Sequence, residues 1–234
     1  MTAPIMEVHR GITVVRDDLF PGGTKARFIG SVFDGATEAV YASPPEGGAQ
    51  TALATVARAL GKRATIFVAQ RAKPHPRTLE AARLGAKVVP VAPGYLTVVQ
   101  ARAKAYCRDT GAFLIPFGAD FPGAAEAIAA AALMTGEAPD EVWCAAGSGV
   151  LARGLALAWP KARRHVVQIG RELSPREVAG ARIHVHPKKF SERATIGAPF
   201  PSDPHYDSKA WEYCLAKHGP GKVLFWNVAP LARG

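Results

Sequence analysis

Two short stretches of the chain hold residue types that can do chemistry at a carbonyl or a phosphate. In RDDLFPGGTKARF (16–28), Lys25 follows two glycines and precedes a predicted short helix, with Arg16 and Arg27 near it in sequence. A lysine amine attacks carbonyls when burial or neighbouring cations lower its pKa, and the usual product is a Schiff base. Most lysines after a turn are plain surface lysines, so this one carries little by itself. In CAAGSGVLARG (144–154), an apolar strand feeds a Gly-Ser-Gly turn that opens a helix. Such a helix start presents free N–H groups and the positive end of the helix dipole, which suits a phosphate. Gly147 and Gly149 permit close approach, and Ser148 adds a hydroxyl donor. No GK[ST] follows as in a Walker loop, and Ala152 stands where a GxGxxG motif has its third glycine. A tight βα turn without a ligand is the plain alternative.

A carbonyl-reactive lysine and a phosphate-binding helix end are together the two anchors that pyridoxal phosphate requires. Other constellations are weaker. His184 and His186 alternate on one strand and share a face, but no carboxylate or third histidine is spaced to complete a metal set, so the sequence predicts no metal and a surface or phosphate-facing pair. His75, between two prolines, reads as a helix-start residue, and no Gly-x-Ser-x-Gly elbow supports a serine hydrolase. Glu172 lies near the offset of a ribose-binding acid after the glycine turn, which keeps a Rossmann-like nucleotide enzyme as a minor alternative.

The elements that must position these residues are legible as an alternation. Strands are predicted at EAVYA from Glu38, ATIFVA from Ala64, AKVVPVA from Ala86, AFLIPFG from Ala112, EVWCAAG from Glu141, HVVQIG from His165 and RIHVH from Arg182. Helices fall between them at Gln50–Leu60, Pro76–Leu84, Thr97–Asp109, Gly123–Thr135, Val150–Trp159 and Pro175–Val178, several closed by glycine. Strands joined by crossover helices run parallel, so this is an α/β protein. A last helix and strand, DSKAWEYCLAKH and KVLFWNVA, follow an irregular Pro-rich stretch from Lys188 to Tyr206. A stretch of that length is a functional loop more often than a linker. Its flank offers His205, Tyr206 and Lys209 as polar candidates for the site, with a capping loop as the plain reading.

Composition narrows the classes further. The chain has 234 residues, 48% hydrophobic and 21% charged, which is enough to bury a core and excludes a disordered or fibrous protein. Its net charge of +10 favours phosphates, anionic substrates or a nucleic acid. Three scattered cysteines, Cys107, Cys144 and Cys214, argue against a disulfide scaffold, and no run suits a signal peptide or a membrane span, so a cytoplasmic protein without membrane contact is expected. Basic and aromatic residues are not interleaved as in single-strand binders.

These stretches, taken in order, resemble the tryptophan synthase β-like superfamily of pyridoxal-phosphate enzymes, fold type II. DDLFPGGTKAR is nearest in motif to the lysine segment of the 1-aminocyclopropane-1-carboxylate deaminases and D-cysteine desulfhydrases. PPEGGAQTALATVARALGKRATIFVA is similar to the turn, helix and strand opening the superfamily's smaller subdomain. PRTLEAARLGAKVVPV and CAAGSGVLARG follow where a helix–strand pair and the phosphate loop are expected, so the resemblance covers about residues 12–170.

The resemblance implies two parallel-sheet α/β subdomains with the cofactor between them, residues 1–35 plus 118–234 forming the larger and 36–117 the smaller. It implies that Lys25 holds pyridoxal 5'-phosphate and then serves as acid and base. It also implies that Gly147, Ser148 and Gly149, with the amides of Val150 and Leu151, bind the phosphate. Gln50 or Thr51 would meet the substrate carboxylate or the ring hydroxyl, although the asparagine usual in that turn is missing. Asn227 is the candidate partner of the pyridine nitrogen. The implied activity is lyase-like chemistry at the Cα of an amino-acid group in a homodimer. The chain is short for the superfamily. With its charge, this points to a small phage-type member acting on an amino-acid group carried on a DNA base. A free amino acid as substrate, or a non-catalytic binding module, stays open.

Overall fold

The structure, a computed structural model, describes residues 2–231. In chain order its first elements are β1 (Met6–His9), β2 (Ile12–Arg16), α1 (Ala26–Ile29), β3 (Glu38–Ser43), α2 (Ala49–Ala59), β4 (Arg63–Ala69), α3 (Pro76–Arg83), β5 (Lys87–Val91), α4 (Leu96–Thr110) and β6 (Phe113–Ile115). These are followed by α5 (Ala124–Leu133), β7 (Glu141–Ala146), α6 (Val150–Ala158), β8 (Arg163–Gln168), β9 (Arg182–Val185), α7 (Asp207–Lys217) and β10 (Val223–Asn227). They form two units, residues 2–27 with 122–231 and residues 28–121. Among the described residues no helix is long and apolar enough to cross a membrane.

The smaller unit is a four-stranded sheet in the order β5-β4-β3-β6, parallel throughout. Crossover helices return the chain to the same edge between strands, and α4 packs Val99 and Ala103 against Val40, Ala42, Phe67 and Val91. A buried carboxylate at the start of β3, Glu38, accepts from Thr65 Oγ1 at 2.7 Å and Tyr106 Oη at 2.8 Å, and so ties β3, β4 and α4 together.

The larger unit is a six-stranded sheet in the order β1-β2-β10-β7-β8-β9. The strands β2, β10, β7, β8 and β9 are parallel; β1 is antiparallel to β2. The alternating pattern leaves this N-terminal hairpin unannounced, because its two-residue link, Arg10–Gly11, lacks the usual Asn-Gly or Asp-Gly pair although both residues have positive φ. The predicted helix over Pro175–Val178 is corrected to a single turn. Ser174 and Glu177 close it as a capping box, and Ala179 and Gly180, both left-handed, stop it before a second turn forms.

Side chains alternate to both faces of this sheet. Val15, Trp226, Cys144 and Val166 meet α5 and α6, while Val14, Phe225, Trp143 and Val167 meet Trp211 and Cys214 of α7. Helices α5 and α6 approach closely because Gly154 faces Ile128: a Cβ at Gly154 would lie 2.5 Å from Ile128 Cγ2 and 2.9 Å from the Ala125 carbonyl.

On the α7 face three rings stack across neighbouring strands. Trp143 lies 4.3 Å from His165 and 4.9 Å from His184 between centroids, and His165 Nδ1 is 3.0 Å from His184 Nε2. The two imidazoles can share only one proton across that bond. Burial first, then repulsion from His165, Arg182 and Lys217, pushes the His184 pKa down to about 4 against the pull of Glu141.

Two outcomes are expected. Gly154→Ala should destabilise the protein by about 1–3 kcal/mol, because overpacking outweighs alanine's helix preference of about 1 kcal/mol; an unchanged denaturation midpoint would contradict the close contact. The folded His184 stays neutral where the unfolded one takes a proton, so stability should be full above pH 6.5 and fall as pH drops toward 4. The slope should reach about 1.4 kcal/mol per pH unit for one proton and flatten in His184→Gln, as urea midpoints across that range would reveal.

Candidate functional site

Strand β2 carries the chain to the carboxyl edge of the larger sheet, and a 3-10 turn, Asp17–Leu19, turns it toward Lys25. The segment leading into Lys25 is fastened to the end of β10. Thr24 donates its backbone N–H to the Val228 carbonyl at 2.9 Å, and Trp226 Nε1 donates to Thr24 Oγ1 at 2.9 Å. Thr24 Oγ1 in turn donates to the buried carboxylate of Asp17 at 2.8 Å. Gly23 has φ +71, and a Cβ there would stand 2.6 Å from the Val228 carbonyl oxygen, so the GGT sequence is what lets the turn lie on the strand end. Lys25 follows at once, half-buried, at the head of α1.

The two arginines near Lys25 are both neutralised by carboxylates. Arg16 forms a two-pronged pair with Asp18 at 2.8 Å and reaches Glu7, while Arg27 pairs with Asp17 at 2.5 Å and lies over the Phe20 ring. They brace the turn, and each guanidinium has a carboxylate for its charge.

The glycine turn stands at the end of the neighbouring strand. Registers Trp226↔Val15 and Trp226↔Cys144 put the ends of β2, β10 and β7 on one edge, with adjacent strands about 5 Å apart. Gly147 and Ser148 are half-buried, and Gly149 caps α6 from the left-handed region with φ +80 and no side-chain cap. A Cβ at Gly149 would fall 2.1 Å from the Glu177 carbonyl, so the one-turn segment that replaced the predicted helix closes over this loop. Arg153, one turn into α6, donates to that same carbonyl at 3.1 Å. The backbone amides of Val150 and Leu151 lie in the first turn of α6.

Asn227 is fully buried at the last position of β10. Its Nδ2 donates to the Pro201 carbonyl at 2.9 Å, an oxygen that can only accept, and this leaves Oδ1 as the free acceptor; among the described residues it meets no donor. The irregular stretch before α7 also supplies Tyr206, whose hydroxyl lies against Gly147. Burial and then Asp207 raise the Tyr206 pKa, which keeps the phenol neutral.

The structure thus brings Lys25, Asn227 and Gly147–Gly149 to one edge of one sheet. Gln50 and Thr51 belong to the other unit. There the Gln50 amide is occupied on both sides, donating to the Pro45 carbonyl at 2.7 Å and accepting from Thr78 at 3.0 Å, and Thr51 Oγ1 donates to the Gly48 carbonyl at 3.0 Å. His205 bonds the Phe190 carbonyl and Lys209 bonds the Lys189 carbonyl, so both turn to the irregular stretch. His184 and His186 are buried under α7, which corrects their reading as surface or phosphate-facing residues; no cluster of three metal-ligating side chains occurs among the described residues. Asp207 was missed. It is buried at the start of α7, close enough to raise the pKa of both Cys144 and Tyr206, and its sequence context signals only a helix start.

The family model described as "pyridoxal-phosphate dependent enzyme" matches residues 9–221. No protein of curated function matches the sequence. Among solved structures, an ACC deaminase homologue is similar at TM-score 0.81 and 16% identity over 94% of this chain and 85% of its own. A threonine deaminase from T.th. is similar at 0.71 and 17% identity over 100% and 93%, and apo diaminopropionate ammonia lyase of Escherichia coli at 0.68 and 14% over 94% and 77%. These likenesses agree in fold with two parallel-sheet α/β units of type II. With the family model spanning most of its length, the chain belongs to the pyridoxal-phosphate dependent enzymes, and its cofactor is pyridoxal phosphate.

Proposed function

We propose that this chain is a lyase acting at the Cα of an amino-acid group, with Lys25 as the residue that holds pyridoxal phosphate. The observation that carries the reading is the fastening of the Lys25 turn to the end of β10, beside the strand whose end bears Gly147–Gly149. Three features fit the cofactor: a half-buried amine on a braced turn, a helix start with no side-chain cap, and a buried acceptor, Asn227 Oδ1, that lacks a donor. When bound, the cofactor supplies a conjugated ring that draws electrons from a bond at the substrate's α-carbon.

The chain's own residues do the rest. Lys25 would hold the cofactor's carbonyl carbon through Nζ, with water leaving, and once the substrate's amine displaces it the freed Nζ would carry a proton to and from the substrate's α-carbon. The amides of Gly147, Ser148, Gly149, Val150 and Leu151, with the Ser148 hydroxyl, would hold the phosphate at the positive end of α6. Asn227 Oδ1 would accept from the protonated ring nitrogen, and Pro201 sets which way that amide faces. In the smaller unit the Gln50 amide keeps the 44–48 turn in shape, and the Thr51 hydroxyl oxygen can still accept. The deaminase and ammonia-lyase neighbours support elimination or deamination over decarboxylation.

A second reading concerns the substrate's carrier. The net charge of +10 favours an amino-acid group borne on DNA over a free amino acid. A homodimer belongs to this proposal on the family's precedent.

Lys25→Ala should remove the absorbance of the lysine-linked cofactor and its trapping by borohydride, and lower turnover by about a thousandfold or more. A band that survives the substitution would sink the assignment. If DNA carries the substrate, duplex affinity should fall about tenfold or more on a fourfold rise in salt; affinity that is absent or flat leaves the free amino acid.

A further inference from the structure

The stretch 187–206 joins β9 to α7 without a helix or strand of its own, yet two of its contacts with the larger unit fall at the candidate site. The Pro201 carbonyl accepts from Asn227, and the Tyr206 hydroxyl lies against Gly147. A strap of that length holds such contacts only if something fixes it.

Two side chains on one face of α7 do so. Lys209 is fully buried, an uncommon state for a lysine, and its Nζ donates to the Lys189 carbonyl at 2.7 Å. Burial lowers its pKa, and Glu192, Glu212 and Asp203 oppose that shift. Three residues on, Glu212 accepts from His186 Nε2 at 3.1 Å and from the backbone N–H of Ile196. His186 Nδ1 already accepts from the Lys188 N–H at 3.1 Å, so its proton sits on Nε2 and both partners of Glu212 are donors. A carboxylate satisfies two donors with its two oxygens; an amide of the same shape turns its NH2 against one of them.

Resting on the cofactor site argued above, we propose that Lys209 and Glu212 are positioning residues that fasten the strap 187–206, and through Pro201 and Tyr206 prepare Asn227 and the glycine loop for pyridoxal phosphate. Binding is stronger when the site's groups are ordered beforehand, so the clamp acts on cofactor affinity. Occupancy of the site must in turn steady the strap.

The test uses the full chain with Lys209→Met and Glu212→Gln, both close in shape to the residues they replace. Tyr213→Phe is the control, because it loses a bond from the same helix to the Val185 carbonyl of β9. Pyridoxal phosphate is titrated by absorbance, and trypsin cleavage after Lys188, Lys189 and Arg193 in the strap is timed with and without cofactor. Each clamp variant should bind the cofactor about tenfold more weakly and lose the strap bonds to trypsin faster, with saturating cofactor restoring protection. The control should match the unaltered chain in affinity. Equal affinity in the clamp variants despite a loosened strap, or cleavage that the cofactor does not slow, overturns this proposal alone. An unaltered chain that takes up no cofactor overturns it together with the site assignment.

Discussion

The hydrogen-bonded relay from Asp17 through Thr24 to Trp226 and Val228 is the interaction on which the chemistry proposed for the larger unit depends. It joins residues some two hundred positions apart and places the lysine that follows Thr24 at the carboxyl edge of the central strands. The side chains of Asp17, Thr24 and Trp226 are buried, so an unmade bond there would cost about 1–3 kcal/mol and would release the turn from the sheet. Arg27 completes the Asp17 carboxylate from the far side, which makes the relay a fully satisfied polar network.

Close approach is the second constraint. The sheet edge is crowded by backbone, with the Val228 carbonyl against Gly23 and the Glu177 carbonyl against Gly149. Both glycines have positive φ, so substitution meets conformational strain as well as collision. The same economy of side-chain volume sets the spacing of α5 and α6, where alanines and Gly154 let two helices approach and bring the loop at the head of α6 to its place.

The region between β9 and α7 shows how polar bonds substitute for regular structure. Without a ladder or helix to satisfy its backbone, it relies on Glu212, Lys209, Asp203 and Asn227 for partners, drawn from both its own residues and its neighbours. Charge is matched locally in the same way at Arg16 and Arg27, so the basic excess of the chain lies elsewhere than beside Lys25.

Much of this was legible in the sequence because it is local. Apolar runs of strand length, glycines past helix ends and the order of the elements determined a parallel α/β fold, and GGTK and GSG marked the two turns proposed to hold the cofactor. The hairpin at β1 and the single turn at Ser174–Glu177 were not legible, because Arg-Gly is an unusual hairpin turn and a capping box reads the same whether one turn follows or three. Tyr206 and Lys209 were named only as polar candidates, and Asp207 and Glu212 were beyond reach, for a different reason. Their roles depend on burial and on partners from distant segments. A charged residue at a helix start looks alike in sequence whether it faces water or a buried thiol, and only the tertiary structure decides which groups it desolvates and which it satisfies.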